Sequence, residues 1–520
     1  MRDQGRANAR LPDGSNAVLR SFTAMPCRRT SWLAVILFVL ASATVSRAQH
    51  YQSDFPPEEF QARWKQVYEK IGDNAVAVLQ GMPLTDGFIL PRQFNTFYYL
   101  SGLETTGSYL LLDGRTKTAT VYLTARNPRL EAAEGRVLSA EDLDLVKRLT
   151  GADDVKPVDT MQRDNWPLGV AAAARPAPGA RPAAAIYVEF SPAEGVEQSR
   201  GELLLAENAK ASDFWDGTTS RQRRFVELLR VRQPRAELRD LTPVLDEMRS
   251  IKSPREIAML RRASQIAGLG LMEAIRSTEA GVTEYQLDAA ARYVFLLNDA
   301  RLEAYRSITA TGTDTIANMH YFRNTNTLKD GDLVLMDYAP DYRYYVSDIG
   351  RVWPVSGKYA PDQRQLLQFV LEYHKAVMSR IRPGLMVPDI MADARKAMEP
   401  IFAKTKFSKP IYEQAARTLV EKGGGVFSHT VGMSVHDVGR YAPGPLKVGQ
   451  VFSLDPAIRV PEENLYLRYE DTGVVTETGF ENFTAFLPSE LDDLEKLAQE
   501  KGVVQKVPAG PPDAQLRSRR

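Results

Sequence analysis

The chain has 520 residues, 44% hydrophobic and 25% charged, which excludes global disorder, a collagen-like rod and a multi-span membrane protein. Lysine and arginine number 66 against 65 acidic residues, a net charge of +1, so no whole-chain basic field exists for gripping nucleic acid. The single cysteine, Cys27, falls in a leader-like segment, and the rest of the chain therefore holds no disulfide framework, thiolate zinc site or cysteine nucleophile.

Arg28 and Arg29 precede an apolar run at 32–45, and Ser46-Arg47-Ala48 follows with small residues at the −3 and −1 positions. That order reads as a secretory signal cut after Ala48, with Met25 as an alternative start, and it predicts export to a periplasm or the exterior. The run is shorter than the ~20 residues of a membrane span, so no span is expected after cleavage. Beyond it, Phe97–Leu100, Tyr109–Leu112 and Ala119–Leu123 read as strands, being aromatic and β-branched runs between turn residues. Residues 173–184 are rich in proline and alanine and read as a surface loop. Ser253-Pro254-Arg255-Glu256 is a capping box that opens a helix, Gly281 is expected to stop it, and Thr283 to start the next. Residues 507–520 read as a loose tail. His50 and His374 read as surface residues.

The second half echoes itself. Leu328-Lys329-Asp330-Gly331, a strand and Asp337 align with Leu446-Lys447-Val448-Gly449, a strand and Asp455. Gly281…Leu287…Ala291-Arg292 aligns with Gly384…Ile390…Ala394-Arg395, and each copy carries an upstream histidine, His320 or His436. Two copies are too few for a solenoid; they suit a duplicated α/β unit whose halves face each other and bring equivalent strand ends to one cleft. Asp337 ends a strand, Pro340-Asp341 reads as a turn, and Tyr344–Val352 reads as a return strand carrying Asp348. Two carboxylates side by side and buried are costly without a cation. Glu470 lies in a further strand-like run, and His429 follows the glycine-rich stretch Gly423-Gly424-Gly425.

These segments resemble the pita-bread metallopeptidases, and among them the Xaa-Pro aminopeptidases. The resemblance is carried by Asn318-Met319-His320-Tyr321, Leu333–Asp337, Ser347–Arg351, Ser428–Gly432, Val435-His436-Asp437-Val438-Gly439 and Arg468–Asp471. It extends to Pro91-Arg92-Gln93 and Phe97–Gly102, which resemble the family's creatinase-like N-terminal domain. The implied class is α/β (α+β): a leader at 1–48, a creatinase-like α/β domain at 49–245, a pita-bread domain with pseudo-twofold duplicated halves at 246–506, and the tail.

What the resemblance implies about chemistry is specific. Asp337, Asp348, His429, Asp455 and Glu470 would bind two divalent ions. That oxygen-rich set favours manganese, admits zinc or cobalt and disfavours copper. A metal-bridging hydroxide would attack the N-terminal peptide bond of a substrate with proline in second place. His320 and His436 would serve the substrate carbonyl, Asp455 would accept the proton, and Arg468 would orient Asp337 from behind. The N-terminal domain would help wall the cleft, and the family's habit suggests a homodimer. This chain also departs from the family. Asp455 stands for a usual glutamate, shorter by one methylene; Gly425 replaces a usual histidine; Arg459 stands where tyrosine is common. A dipeptidase on the same fold, a weakened peptide- or protein-binding scaffold, and a metal-free creatinase-type hydrolase are the alternatives.

Overall fold

The computed structural model describes residues 51–84, 89–162, 164, 185–234, 236–438 and 444–507. The leader with its apolar run, Met25, Cys27, His50, the loop 173–184, Gly439 and the tail beyond Val507 lie outside the described residues.

The N-terminal part is built on one six-stranded sheet. Its strands are β1 (Ala75–Gln80), β2 (Tyr109–Asp113), β3 (Thr118–Leu123), β4 (Asp154–Pro157), β5 (Ala185–Val188) and β6 (Glu237–Asp240), ordered β4-β3-β2-β1-β5-β6. The expected strands at Tyr109 and Ala119 are present and pair antiparallel. Strand alternation divides β1 between two cores: Ala75, Ala77 and Leu79 join the main cluster, whereas Val76 and Val78 face a second one with Ile186, Val226 and Leu229. Phe97–Leu100 is not a strand. It lies in a helix, Asn95–Ser101, whose seven residues are all buried. An aromatic run buried on every side carries no alternation to separate strand from helix.

The helix expected at Pro254 runs Pro254–Arg276, with Ser253 Oγ accepting from Glu256 N and the Glu256 carboxylate accepting from Ser253 N. It stops at Ser277 rather than at Gly281; Gly281 instead shapes the turn before the helix Glu284–Leu297. The strands that follow are β7 (Leu302–Glu303), β8 (Ile308–Thr311), β9 (Leu333–Asp337), β10 (Pro340–Asp341), β11 (Gly350–Pro354), β12 (Val451–Leu454), β13 (Ala457–Val460), β14 (Leu465–Arg468), β15 (Asp471–Val475) and β16 (Phe480–Asn482). They form the sheets β11-β9-β8 and β12-β15-β16 and the pairs β7/β10 and β13/β14.

The duplication is visible in the hydrogen bonds. Gly281 N donates to Leu328 O and Leu328 N to Val282 O; in the second copy Gly384 N donates to Leu446 O and Leu446 N to Leu385 O. Leu287 and Ala291 are buried in the first half, as Ile390 and Ala394 are in the second. The two three-stranded sheets meet at Gly350 and Glu470, which exchange both backbone hydrogen bonds (3.2 and 3.1 Å).

Two further expectations change. Pro340-Asp341 is a short strand paired with β7, and the turn falls at Tyr342–Tyr345. The return strand begins only at Gly350, whose register partner is Asp337, so Asp348 precedes the ladder. The cause is tertiary: Arg343 and Tyr344 have positive φ, and Tyr344 stacks on Tyr98 of the N-terminal part at 3.5 Å between ring centroids. Val346 N then donates to Gly432 O instead of to a neighbouring strand. His374 is not a surface residue either. It sits on the inner face of the helix Pro361–Met378, 2% exposed, 3.5 Å from Asp471.

Candidate metal centre

The junction of the two sheets gathers the acids. Asp337 ends β9; Asp348 sits two residues before Gly350; Glu470 lies between β14 and β15; Asp455 directly follows β12. Asp337, Asp348 and Glu470 are each at most 3% exposed. Asp348, His429 and Glu470 offer ligand atoms within 4.8 Å of one another, and His429 Nε2 is 3.3 Å from Asp348 Oδ2. Tyr305 joins Asp337 to this group: its hydroxyl lies 2.5 Å from Asp337 Oδ1 and 3.0 Å from Asp348 Oδ1. Arg468 pairs with Asp337 and stands 3.4 Å from Glu470 Oε2.

Crowding perturbs Asp348, Glu470, Asp455 and His429. Burial first, then the charges of Glu470 and Asp337, holds the Asp348 carboxyl well above its usual range. Burial raises Glu470 to about 8 against the pull of Arg468, and Asp455 to about 6. Burial, with His436 alongside, lowers His429 to about 4 and keeps its imidazole neutral, the form that ligates metal. Glu470 Oε2 is buried without a hydrogen bond. Gly350 makes room for it: a Cβ there would sit 2.9 Å from that oxygen. A buried carboxylate oxygen that accepts no hydrogen bond, beside a second acid and a neutral imidazole, fits a divalent cation.

The cluster opens into a cavity of about 1110 Å³, walled by residues of both parts of the chain, with Glu197, Ser199 and Glu202 from the N-terminal side. Residues 258–477 match the metallopeptidase family M24, and residues 60–165 match the aminopeptidase P N-terminal domain. The chain thus carries an M24 metallopeptidase domain behind an aminopeptidase P N-terminal domain. The Xaa-Pro aminopeptidase of Haemophilus influenzae is 28% identical over 471 residues, covering 86% of this chain and 98% of that protein. The Xaa-Pro aminopeptidase of Escherichia coli is 33% identical over 278 residues, 50% of this chain and 62% of that protein. The structure of zinc-substituted E. coli aminopeptidase P in complex with product superposes with a TM-score of 0.67 at 25% identity, covering 86% of this chain and all of that one.

Within this M24 site, the structure brings together all seven residues singled out for metal or catalysis, at different closeness. Asp348, His429 and Glu470 form the tight group, and Asp337 adjoins it. Asp455 faces the same cavity from farther out, outside the tight group, and Ser428 Oγ donates to its Oδ1 at 3.4 Å. The shorter acid leans on Gly425, whose φ is +104° and where a Cβ would meet the Asp455 carbonyl oxygen at 2.8 Å and its Oδ2 at 3.0 Å. The two departures are therefore in contact. The ring of His436 is 4.3 Å from that of His429, and His320 is exposed on the cavity wall. Arg468 is paired with Asp337.

Two residues escaped sequence reading. Tyr305 stands in no motif. Glu202, on the helix Arg200–Ser212, lies 3.1 Å from His436 Nδ1 across more than two hundred residues of chain. The segment carrying His436 is further braced from the N-terminal side by Asn95 to Met433 O (3.1 Å), Ser434 Oγ to Gln198 O (3.1 Å) and His436 N to Ser199 Oγ (3.2 Å).

Proposed function

We infer that the protein is a metal-dependent Xaa-Pro aminopeptidase, an exopeptidase that hydrolyses the bond between an N-terminal residue and a following proline. The observation that carries this reading is the convergence of Asp348, His429 and Glu470, with Asp337 alongside, at the floor of one cavity. The similar Xaa-Pro aminopeptidases supply the proline preference.

Asp337, Asp348, His429, Asp455 and Glu470 would hold two divalent ions, and the oxygen-rich donor set favours manganese. When bound, such ions acidify water and polarise a peptide carbonyl. The protein groups do the rest. Tyr305 and Arg468 fix the Asp337, Asp348 and Glu470 carboxylates in one orientation. His436 and His320, on the cavity wall, donate to the substrate carbonyl as charge develops there. Asp455, raised to about 6, takes a proton at its Oδ atoms and passes it on. The cavity has the size of a small-molecule or short-peptide site.

The leader supports export, and the family habit supports a homodimer. Assay of the purified protein with Ala-Pro-Ala and Ala-Ala-Ala, with and without manganese, tests the reading. Release of alanine from Ala-Pro-Ala alone, abolished by a chelator, is expected; no cleavage of either peptide in the metal-loaded protein would refute it.

A further inference from the structure

The β13/β14 hairpin is a ruler laid out from the acid cluster. In register, Ala457 opposes Arg468 and Arg459 opposes Tyr466. Side chains two apart on a strand share a face. Asp455, Ala457 and Arg459 on one side, and Glu470, Arg468 and Tyr466 on the other, all line the cavity. The acids stand at the inner end of this face and Arg459 at its outer end.

The charges along the wall are not equally satisfied. Arg468 is committed to Asp337 and Glu470, and Arg306 to Asp288 and Glu303. Arg459 has no carboxylate within ion-pair distance among the described residues. Its guanidinium rests instead on the ring of buried Tyr466, 5.0 Å from the centroid. Lys422, the last residue of the helix Pro410–Lys422, lines the same cavity and also lacks an acidic partner among the described residues. Glu462, just beyond β13, faces the cavity without pairing with either cation. A cation stacked on an aromatic face keeps its in-plane N–H donors free for a carboxylate.

We propose that Arg459, seconded by Lys422, is a carboxylate subsite that selects short peptides by the negative charge near their far end. The proposal rests on the aminopeptidase reading and deepens it. A peptide is a dipole, and its ammonium belongs at the acidic end of this face. Arg459 lies four positions beyond Asp455, a span of at most about 13 Å. In an extended substrate, the carboxylate of the third residue lies about 7 Å beyond the cleaved bond. The length of an arginine side chain covers the remainder, so the geometry favours tripeptides. An aspartate or glutamate side chain at the third residue offers the same chemistry as a free C-terminus.

The test compares Ala-Pro-Ala, Ala-Pro-Ala-amide, Ala-Pro-Asp-amide and Ala-Pro-Ala-Ala-Ala in the metal-loaded enzyme and in Arg459→Gln and Arg459→Lys. The free-acid tripeptide is expected to exceed its amide about tenfold in kcat/KM, through KM, as for one charge-assisted contact. Arg459→Gln brings the acid-to-amide ratio close to one, and Arg459→Lys retains part of it. Recovery by Ala-Pro-Asp-amide assigns the subsite to side-chain carboxylates as well; no recovery assigns it to the C-terminus. A wild-type ratio near one, a ratio unaltered by Arg459→Gln, or a free-acid pentapeptide that loses as much kcat/KM as the free-acid tripeptide in Arg459→Gln overturns the proposal. Failure to cleave any of the four peptides would instead reject the aminopeptidase reading. As a measurement independent of turnover, Pro-Ala should bind more tightly than Pro-Ala-amide by calorimetry, and Arg459→Gln should erase the difference.

Discussion

Stripping the metal should make the folded protein acid-loving, and Glu470 sets the size of the effect. In the unfolded chain this carboxyl loses its proton near 4.5; in the folded, metal-free site it does so only near 8. Between those values the folded state binds more protons than the unfolded one. The stability contributed by Glu470 is therefore complete below about pH 4.5 and is lost as pH climbs to about 8. A displacement of that size corresponds to at most about 5 kcal/mol. Asp348 and Asp455 shift in the same direction and share part of the total. The assay is urea unfolding of chelator-treated protein at pH 5, 6.5 and 8, beside Glu470→Gln. The wild-type midpoint should fall with pH. The variant should lose most of that slope and outlast the wild type at pH 8. Glu189, raised to about 7 by burial elsewhere, tilts both proteins alike and cancels in the comparison. Manganese at pH 8 should restore the wild type but not the variant, because ligands bind deprotonated. Equal pH slopes in the two proteins would refute the claim that these acids are held together against their own repulsion.

Three further outcomes are expected. Asp348→Asn removes one member of the tight group and should abolish peptidase activity and metal binding while leaving circular dichroism intact; retained activity would count against the site. Gly425→Ala forces a Cβ to 2.8 Å from the Asp455 carbonyl at a φ of +104°, and should cost on the order of 1–3 kcal/mol in thermal unfolding and weaken metal affinity measured by titration. Glu202→Gln loses the charged partner of His436 Nδ1 and should lower kcat several-fold with KM little changed, with partial rescue by Glu202→Asp; an unaltered kcat would mean that this exposed contact does not serve catalysis.

Much of the site was legible because its signals are local or repeated. The Leu-Lys-x-Gly repeat put Asp337 and Asp455 at equivalent strand ends, and the capping box at Ser253 placed the helix that opens the catalytic half. The departures at 425, 455 and 459 were also readable, but not the contact between Gly425 and Asp455. Composition alone could not tell that Phe97–Leu100 is a helix, since burial on all sides erases the pattern that separates the two conformations. His374 looked like an ordinary polar residue until the helix around it was packed against Asp471.

The sequence by itself determined which residues are acidic, where strands end and which segments are copies, because these depend on neighbours a few positions away. Only the tertiary structure decided that Gly350 and Glu470 join the two halves, that Tyr305 clasps two aspartates, and that Glu202 reaches His436 from the other part of the chain. Those contacts join residues separated by 32 to 234 positions, and their geometry follows from how whole sheets and helices pack rather than from any run of neighbouring side chains.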